Sequence, residues 1–277
     1  MLLTLVTLNY QRAAFLKNQI EALGVLARSF AGSFEHVVIN VETPEYGAEE
    51  VLPDNYQLRQ FTRSLPEDKI LNIARARNFG AKQARSANLV FLDVDCLPEP
   101  GFLEHYATCF ETQLSGVFQG HAWYLKKDVS LAKARQNRPR YTQYYRPGLD
   151  PRAPFASAVT NAYEVFSSIH FGCSQQTFWK VDGFDECYRG YGCEDTDFGQ
   201  KLRAHKITLS MNKAEVFHQY HKPSGAPFES VAEVVQNANY FQSKWGWLPA
   251  KSWFETFAEA GLVDLKEGKV TLRKQEE

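Results

Sequence analysis

Three groups of residues could do chemistry by type and spacing. Asp93 and Asp95 end the apolar run "NLVFLDVD", Glu194, Asp195 and Asp197 follow the glycines of "GYGCEDTD", and His218 and His221 share "VFHQYH". Read as the tail of a strand, "LVFLDVD" puts Asp93 and Asp95 on one face, because side chains alternate with a period of two. Two carboxylates placed together repel unless a cation lies between or beside them. Gly190 and Gly192 permit a tight path into a helix whose first turn then carries three acids. An acid there caps free N–H groups and complements the helix dipole, but three of them with Tyr191 alongside exceed what one cap needs. Alternation through "VFHQYH" sends His218 and Tyr220 one way and His221 the other. A lone strand histidine is commonly a packing or surface residue, and neutral imidazole is equally a common metal ligand. One carboxylate and one imidazole, with substrate oxygens completing the set, suit Mn²⁺ better than Zn²⁺ or Ca²⁺.

Positioning these groups falls to an alternation of apolar runs and helix-like stretches. "LLTLVTL" reads as a strand, "RAAFLKNQIEALGVLA" as a helix, "HVVINVE" as a strand, "DKILNIARARNFGAKQAR" as a helix and "LVFLDVD" as a strand. This order predicts an α/β fold with a Rossmann-like, mostly parallel central sheet flanked by helices. Such sheets bind ligands at the carboxyl ends of their strands, where Asp93 and Asp95 fall. A helix "FLEHYATCFETQL" and a strand "GVFQGHAWYL" follow, and "GYGCEDTDFGQKLRA" reads as a glycine loop entering a helix. "ITLSMNKAEVFHQYH" is the last strand region. Residues 126–166, basic and aromatic with prolines, predict a mobile excursion over the active face. His121, Trp123 and the aromatics from Tyr141 to Tyr145 are expected to fill core or loop. From residue 228 two helical stretches are expected, with Trp245, Trp247, Trp253 and Phe254 packing them onto the sheet. The charged tip is expected to be disordered.

At 277 residues the chain has room for one large domain with a small appendage. Its 31 Lys and Arg nearly balance 32 Asp and Glu, which argues against a nucleic-acid partner bound by bulk charge. The 5 cysteines lack C-x-x-C spacing, as reduced thiols of a cytoplasmic protein would. "MLLTLVTLNYQR" turns polar too soon for a leader or a membrane span and reads as a first strand, leaving peripheral membrane contact open.

In combination the motifs resemble an inverting nucleotide-sugar glycosyltransferase of the GT-A fold, close to family 2 and to the galactosyltransferase-like branch. "RARNFGAKQARSANLVFLDVDCLPEPGFL" is similar to the Arg-Asn-Gly helix and D-x-D strand of those enzymes. "FWKVDGFDECYRGYGCEDTDFGQKL" resembles their G-G-F-D-E segment and the G-W-G-G-E-D-D-D acceptor motif. The resemblance implies a catalytic domain over 1–222, with a nucleotide-binding half at 1–100 and an acceptor half at 101–222, and a helical extension at 223–277.

It also implies roles. Asp95 and His218 would hold Mn²⁺ or Mg²⁺, with Asp93 nearer the ribose or the metal's water shell. Asp195 would be the catalytic base, and Glu194 would bind the acceptor and orient Asp195. Tyr191 stands where the galactosyltransferase motif has a tryptophan that stacks on a sugar. Asn9 and Arg12 of "NYQR", Glu42 at the end of "VINVE" and Arg77 would bind the nucleotide-sugar, with Asn40 competing for the uridine role. The implied reaction moves a sugar, galactose or an N-acetylhexosamine, from a UDP-sugar donor to a hydroxyl of a glycan or other acceptor. Two other readings are a sugar-nucleotide nucleotidyltransferase and a non-catalytic carbohydrate-binding protein. The former needs a glycine-rich, basic phosphate loop after the first strand, which "LNYQRAAFL" lacks. The latter would ignore UDP.

Overall fold

The computed structural model describes residues 3–47, 51–112, 115–143, 161–221, 227–266 and 269–273. Its elements run β1 (Leu3–Tyr10), α1 (Ala13–Ala27), β2 (Phe34–Val41), β3 (Tyr56–Arg63), α2 (Ile73–Gln83), β4 (Asn88–Leu92), β5 (Cys96–Pro98) and α3 (Phe102–Thr112). Next come β6 (Val117–Leu125), α4 (Leu131–Gln136), α5 (Arg138–Tyr141), β7 (Thr142–Gln143), β8 (His170–Ser174), α6 (Gln175–Lys180), α7 (Glu194–Ala204) and β9 (Leu209–His218). The chain closes with α8 (Val231–Trp245), α9 (Lys251–Glu259), β10 (Val263–Lys266) and β11 (Lys269–Leu272).

The central sheet has the order β3-β2-β1-β4-β8-β6-β9-β5, with β7 paired to β6. Pairing is parallel from β3 to β4, as the strand–helix alternation predicts. Beyond β4 it is mixed: β8 runs antiparallel to β4 and β6, β9 parallel to β6, and β5 antiparallel to β9. The sheet curls, so its last strand returns over the end of β4. Every residue of β2 is buried, as expected of a strand covered on both faces. β3, "YQLRQFTR", is a half-exposed edge strand whose polar composition hides it from a hydrophobicity reading.

Helices cover both faces. Leu16, Ile20 and Leu23 of α1 pack with Phe102, Tyr106 and Phe110 of α3 on one side. Ala74 and Ala81 of α2 pack with Phe178 of α6 and Phe198 and Leu202 of α7 on the other. α2 lies so close that a Cβ at Gly80 would stand 2.4 Å from Val6 Cγ1, so the glycine of the Arg-Asn-Phe-Gly run is a packing requirement.

A separate core joins the C-terminal segment to the loop before α7. Val234, Val235, Ala238 and Phe241 of α8 meet Phe254 and Phe257 of α9, Val263, Val270, Tyr188 and Cys193. The segment is therefore helices plus a hairpin, β10 with β11, where helices alone were expected. Phe254 is fully buried, but in this core rather than against the central sheet as expected, and Trp247 is 36% exposed.

The irregular excursion expected over 126–166 begins instead with two short helices. Their anchor is Glu99, whose carboxylate accepts from Arg135 Nε and Nη2 at 3.0 and 2.7 Å, while Arg138 pairs with Glu215 at 2.5 Å. Tyr144, Tyr145 and the rest of 144–160 lie outside the described residues, as does the charged tip. No helix among the described residues is long and apolar enough to cross a membrane.

Candidate active site

β4 ends at Leu92, so the shared strand face expected for Asp93 and Asp95 does not exist. The chain turns there, with Cys96 N–H donating to the Asp93 carbonyl at 2.9 Å. Gln19 of α1, fully buried, fixes this turn by donating to the carbonyls of Asp93 and Cys96 at 2.7 and 2.9 Å. A turn rotates successive side chains away from strict alternation, and the two carboxylates face different partners.

Asp95 faces three cationic or basic groups. Arg12 Nη1 lies 2.5 Å from Oδ2, His221 Nε2 3.3 Å from Oδ2, and His218 Nε2 3.4 Å from Oδ1. The framework is backbone pairing: β5 lies against β9 with Cys96 opposite His218, and Gln219 N–H donates to the Asp95 carbonyl at 2.8 Å. The histidines were expected on opposite faces. β9 stops at His218, the alternation stops with it, and the following residues bring His221 back beside Asp95. His218 Nδ1 donates to the Gln219 carbonyl at 3.1 Å, and its ring stacks on Tyr124 at 4.5 Å. That bond leaves the Nε2 lone pair facing the carboxylate.

One oxygen of Asp95 and one nitrogen from each histidine lie within 4.8 Å of one another. Donors about 2.1 Å from one ion stand about 3.0–3.4 Å apart at octahedral or tetrahedral angles, and each Nε2 lies at such a distance from one oxygen of Asp95, His221 from Oδ2 and His218 from Oδ1. Burial pushes the Asp95 carboxyl up, yet the His221 hydrogen bond, the positive charge of the histidines when protonated and the Arg12 guanidinium outweigh it and hold it below the ordinary range. Burial lowers His218, favouring the neutral, ligating imidazole.

Asp93 belongs to a second group organised by Arg77. This guanidinium, 7% exposed, gives Nη2 to Asp93 Oδ1 at 2.8 Å and Nη1 to Glu194 Oε1 at 3.3 Å. Burial raises Asp93 to about 6 against the pull of Arg77, with the Asp95 charge adding to the rise. Burial, then the charge of Asp195, raises Glu194 to about 7. The field of Asp195 also reaches Arg77 and Asp93, so the acids of α7 and the β4 turn share one electrostatic neighbourhood.

The entry to α7 is an uncommon backbone path: Gly190, Gly192 and Cys193 have φ of 70°, 94° and 77°. Gly190 N–H donates to the Leu71 carbonyl at 2.8 Å, tying the loop to the start of α2. Asp195 is half-buried in the first turn, its Oδ1 accepting from Thr196 N–H at 2.8 Å. Asp197 turns the other way, fully buried, accepting from Trp245 Nε1 at 2.8 Å and pairing with Lys244 at 2.7 Å.

Among the nucleotide-site expectations, Arg12, Arg77 and Asp93 come together around the acids. Asn9 does not reach them: it is fully buried and donates to Asn40 at 2.7 Å. Asn40 is buried as well, so of the two uridine candidates only Glu42 is exposed. Glu42 sits just past β2 at φ 46°, accepting from Leu65 N–H at 2.9 Å. Tyr191 is 39% exposed beside the α7 acids. Gln19 and Tyr124 escape a sequence reading, and His221 was singled out there without being placed beside Asp95. For His221 the signal was present, since it stood in the same short motif.

Comparison with known proteins agrees with this geometry. The pattern described as "Glycosyltransferase like family 2" matches residues 6–242. Validoxylamine A glucosyltransferases of Streptomyces hygroscopicus subsp. jinggangensis and subsp. limoneus are each 27% identical over 241 residues. The alignments cover 76% of this chain and 54% and 50% of those proteins, so the chain spans about half the length of the curated relatives it matches. Among solved structures, S. aureus TarS 1-349 in complex with UDP-GlcNAc superposes with a TM-score of 0.57 at 13% identity, covering 95% of this chain and 72% of that one. GalNAc-T7 with UDP, GalNAc and Mn²⁺ gives 0.54 at 13% identity, covering 93% and 56%. At such identities the likeness speaks for the fold, the GT-A arrangement of a curled mixed sheet between helices. The chain belongs to glycosyltransferase-like family 2.

Proposed function

We propose that this chain is a metal-dependent, inverting glycosyltransferase that moves a hexose from a UDP-sugar to a hydroxyl of a saccharide-type acceptor. The observation carrying the reading is that Asp93, two residues before the Asp95 of the carboxylate–bis-imidazole set and within reach of its charge, shares Arg77 with Glu194 at the opening of α7. The chemistry needs both: a grip on a diphosphate leaving group and a base for the attacking alcohol.

Asp95, His218 and His221 would hold the divalent ion. An ion such as Mn²⁺ held there would supply positive charge to offset that building on the departing diphosphate. A set with two imidazoles favours Mn²⁺ over Mg²⁺, which prefers oxygen donors. Arg12 supplies positive charge at the same carboxylate. Asp195 takes the proton of the acceptor hydroxyl as that oxygen bonds to the anomeric carbon. The bond from that carbon to the diphosphate oxygen breaks on the opposite side, which inverts configuration and releases UDP. Glu194 receives acceptor hydroxyls and keeps the base oriented, and Arg77 neutralises the buried acids around it. Glu42, exposed past β2, is the uridine-side candidate. Asn9 and Asn40 brace the strand ends behind it.

The transferred sugar is a hexose in this reading. The sequence resemblance favours galactose or an N-acetylhexosamine, and the relatives' printed activity adds glucose. UDP release from UDP-glucose, UDP-galactose and UDP-GlcNAc with Mn²⁺ tests the assignment. Asp195→Asn is expected to lower turnover by about 10²–10⁴-fold while UDP and Mn²⁺ still bind. Undiminished turnover in that variant removes Asp195 as the base.

A further inference from the structure

Four polar side chains lie in file through the apolar core beneath α1. Thr7, Gln19 and His36 are fully buried, and Tyr56 nearly so. The parallel register sets Tyr56 opposite Phe34 and Thr7 opposite Val38, so His36 lies diagonal to both on the same sheet face. Tyr56 Oη and His36 Nδ1 are 2.9 Å apart, His36 Nε2 and Thr7 Oγ1 2.9 Å, and Thr7 Oγ1 and Gln19 Oε1 3.0 Å. The file ends where Gln19 Nε2 donates to the carbonyls of Asp93 and Cys96.

What each atom can donate or accept fixes the direction of these bonds. Gln19 cannot turn its amide over, because Oε1 would then face two carbonyl oxygens. The Thr7 hydroxyl has one proton and lies against two pure acceptors, Gln19 Oε1 and the Leu92 carbonyl at 2.9 Å. His36 Nε2 therefore donates to Thr7, and Nδ1 of the neutral ring accepts from the Tyr56 hydroxyl. Burial keeps that ring neutral, lowering its pKa to about 3. A buried network whose members are all bonded rigidifies what it ends on, and this one ends on the turn after β4. Asp93 and Cys96 bracket Asp95, so the two carbonyls held by Gln19 fix where the Asp95 side chain leaves the backbone. Asn18, the adjacent residue of α1, donates to Gln219 Oε1 at 2.6 Å, and Gln219 directly follows His218. One turn of α1 thus grips both segments of the carboxylate–bis-imidazole set.

We infer that Gln19 is a positioning residue for the set of Asp95, His218 and His221, oriented by Thr7, His36 and Tyr56 behind it. Apolar side chains of the same shape would pack these four positions at little or no cost in stability. A metal site asks for more, since its ligands have to be held to within about 0.5 Å of their working geometry. The file carries no charge and does no chemistry; it sets where a ligand stands. The inference rests on the reading of Asp95, His218 and His221 as metal ligands, and adds that their spacing is set from α1.

Mn²⁺ calorimetry with UDP present reads the ligand set, and urea unfolding reads the fold. Gln19→Met keeps the length of the side chain and removes its bonds, and should weaken Mn²⁺ binding by about 10–100-fold. Thr7→Val keeps the shape but leaves Gln19 Oε1 and His36 Nε2 without their partner, and should weaken binding by about fivefold. Thr7→Ser restores the hydroxyl and should bind Mn²⁺ as the wild type does. Phe110→Leu, in the same core but on α3, should lower the urea midpoint with Mn²⁺ affinity unchanged, which separates position from stability. The Thr7 pair decides the matter should Gln19→Met fail to fold. Wild-type Mn²⁺ affinity in Gln19→Met or Thr7→Val, or a comparable loss in Thr7→Ser or Phe110→Leu, overturns the inference and leaves the metal site standing. Wild-type protein that binds no Mn²⁺ defeats the metal reading itself and takes the inference with it.

Discussion

Arg77 carries a larger share of the site than its position on a helix suggests. It is the cation between two carboxyl groups that burial drives toward neutrality, Asp93 at about 6 and Glu194 at about 7. The Glu194 shift has a sign that can be worked through. A carboxyl raised from about 4.5 to about 7 on folding binds more protons in the native state, so its contribution is full below pH 4.5 and fades as pH rises through 7. Integrated over that window the loss is about 3 kcal/mol. Glu194→Gln should therefore flatten the fall in urea-unfolding stability between pH 5 and pH 8. A wild-type profile with no decline there contradicts the burial account. Arg77→Met gives the complementary case, because its cost appears only when the acids ionise. It should destabilise by about 3–5 kcal/mol at pH 8 and much less at pH 5. The sequence reading expected Arg77 to face phosphate or base, and in the structure its guanidinium is buried between Asp93 and Glu194. Its bridge to Glu194 was not legible, because nothing in the spacing of residues 77 and 194 says which loop folds over α2.

At the scale of elements, legibility follows hydrophobic pattern. β1, β2, β4 and β6 are rich in buried apolar residues and are read correctly, whereas β3 is a polar edge strand and leaves no such trace. Strand ends are where the pattern misleads. Asp95 and His218 were recognised as partners through their motifs, but the face each side chain takes depends on where β4 and β9 stop. Period-two alternation assumes they continue through Asp95 and His221, and both strands end earlier. His221 consequently joins the set that alternation excluded it from. Mn²⁺ calorimetry in the presence of UDP is the direct check. His221→Ala and His218→Ala should each weaken Mn²⁺ binding by about tenfold or more, the loss expected for one imidazole donor in a small ligand set. Equal Mn²⁺ affinity in His221→Ala and wild type would show that His221 serves only to hold Asp95 in place.

For the whole molecule, the segment after β9 is welded to the candidate active site through a core and a charge. Tyr188 and Cys193, which flank the glycine loop, bury their side chains among Val234, Phe241, Phe254 and Phe257. Asp197, two residues past the assigned base and fully buried, depends on Lys244 and Trp245 of α8 for its hydrogen-bonding and charge partners, with Tyr188 O–H adding a bond at 3.2 Å. A chain ending after residue 222 strips both α8 partners from that carboxylate, which alone costs about 3–5 kcal/mol. It also opens the apolar core to water, with each large side chain worth about 1.5–3 kcal/mol when fully buried. Domains of this size hold about 5–15 kcal/mol in total, so the two losses together consume the margin. The 1–222 fragment should therefore be insoluble, or soluble with broadened amide resonances around the start of α7. Lys244→Met in the full chain isolates the charge from the core, and should lower the thermal midpoint while leaving α8 and α9 packed. A 1–222 fragment that unfolds cooperatively at the full-length temperature would mean that α7 is positioned by the sheet alone.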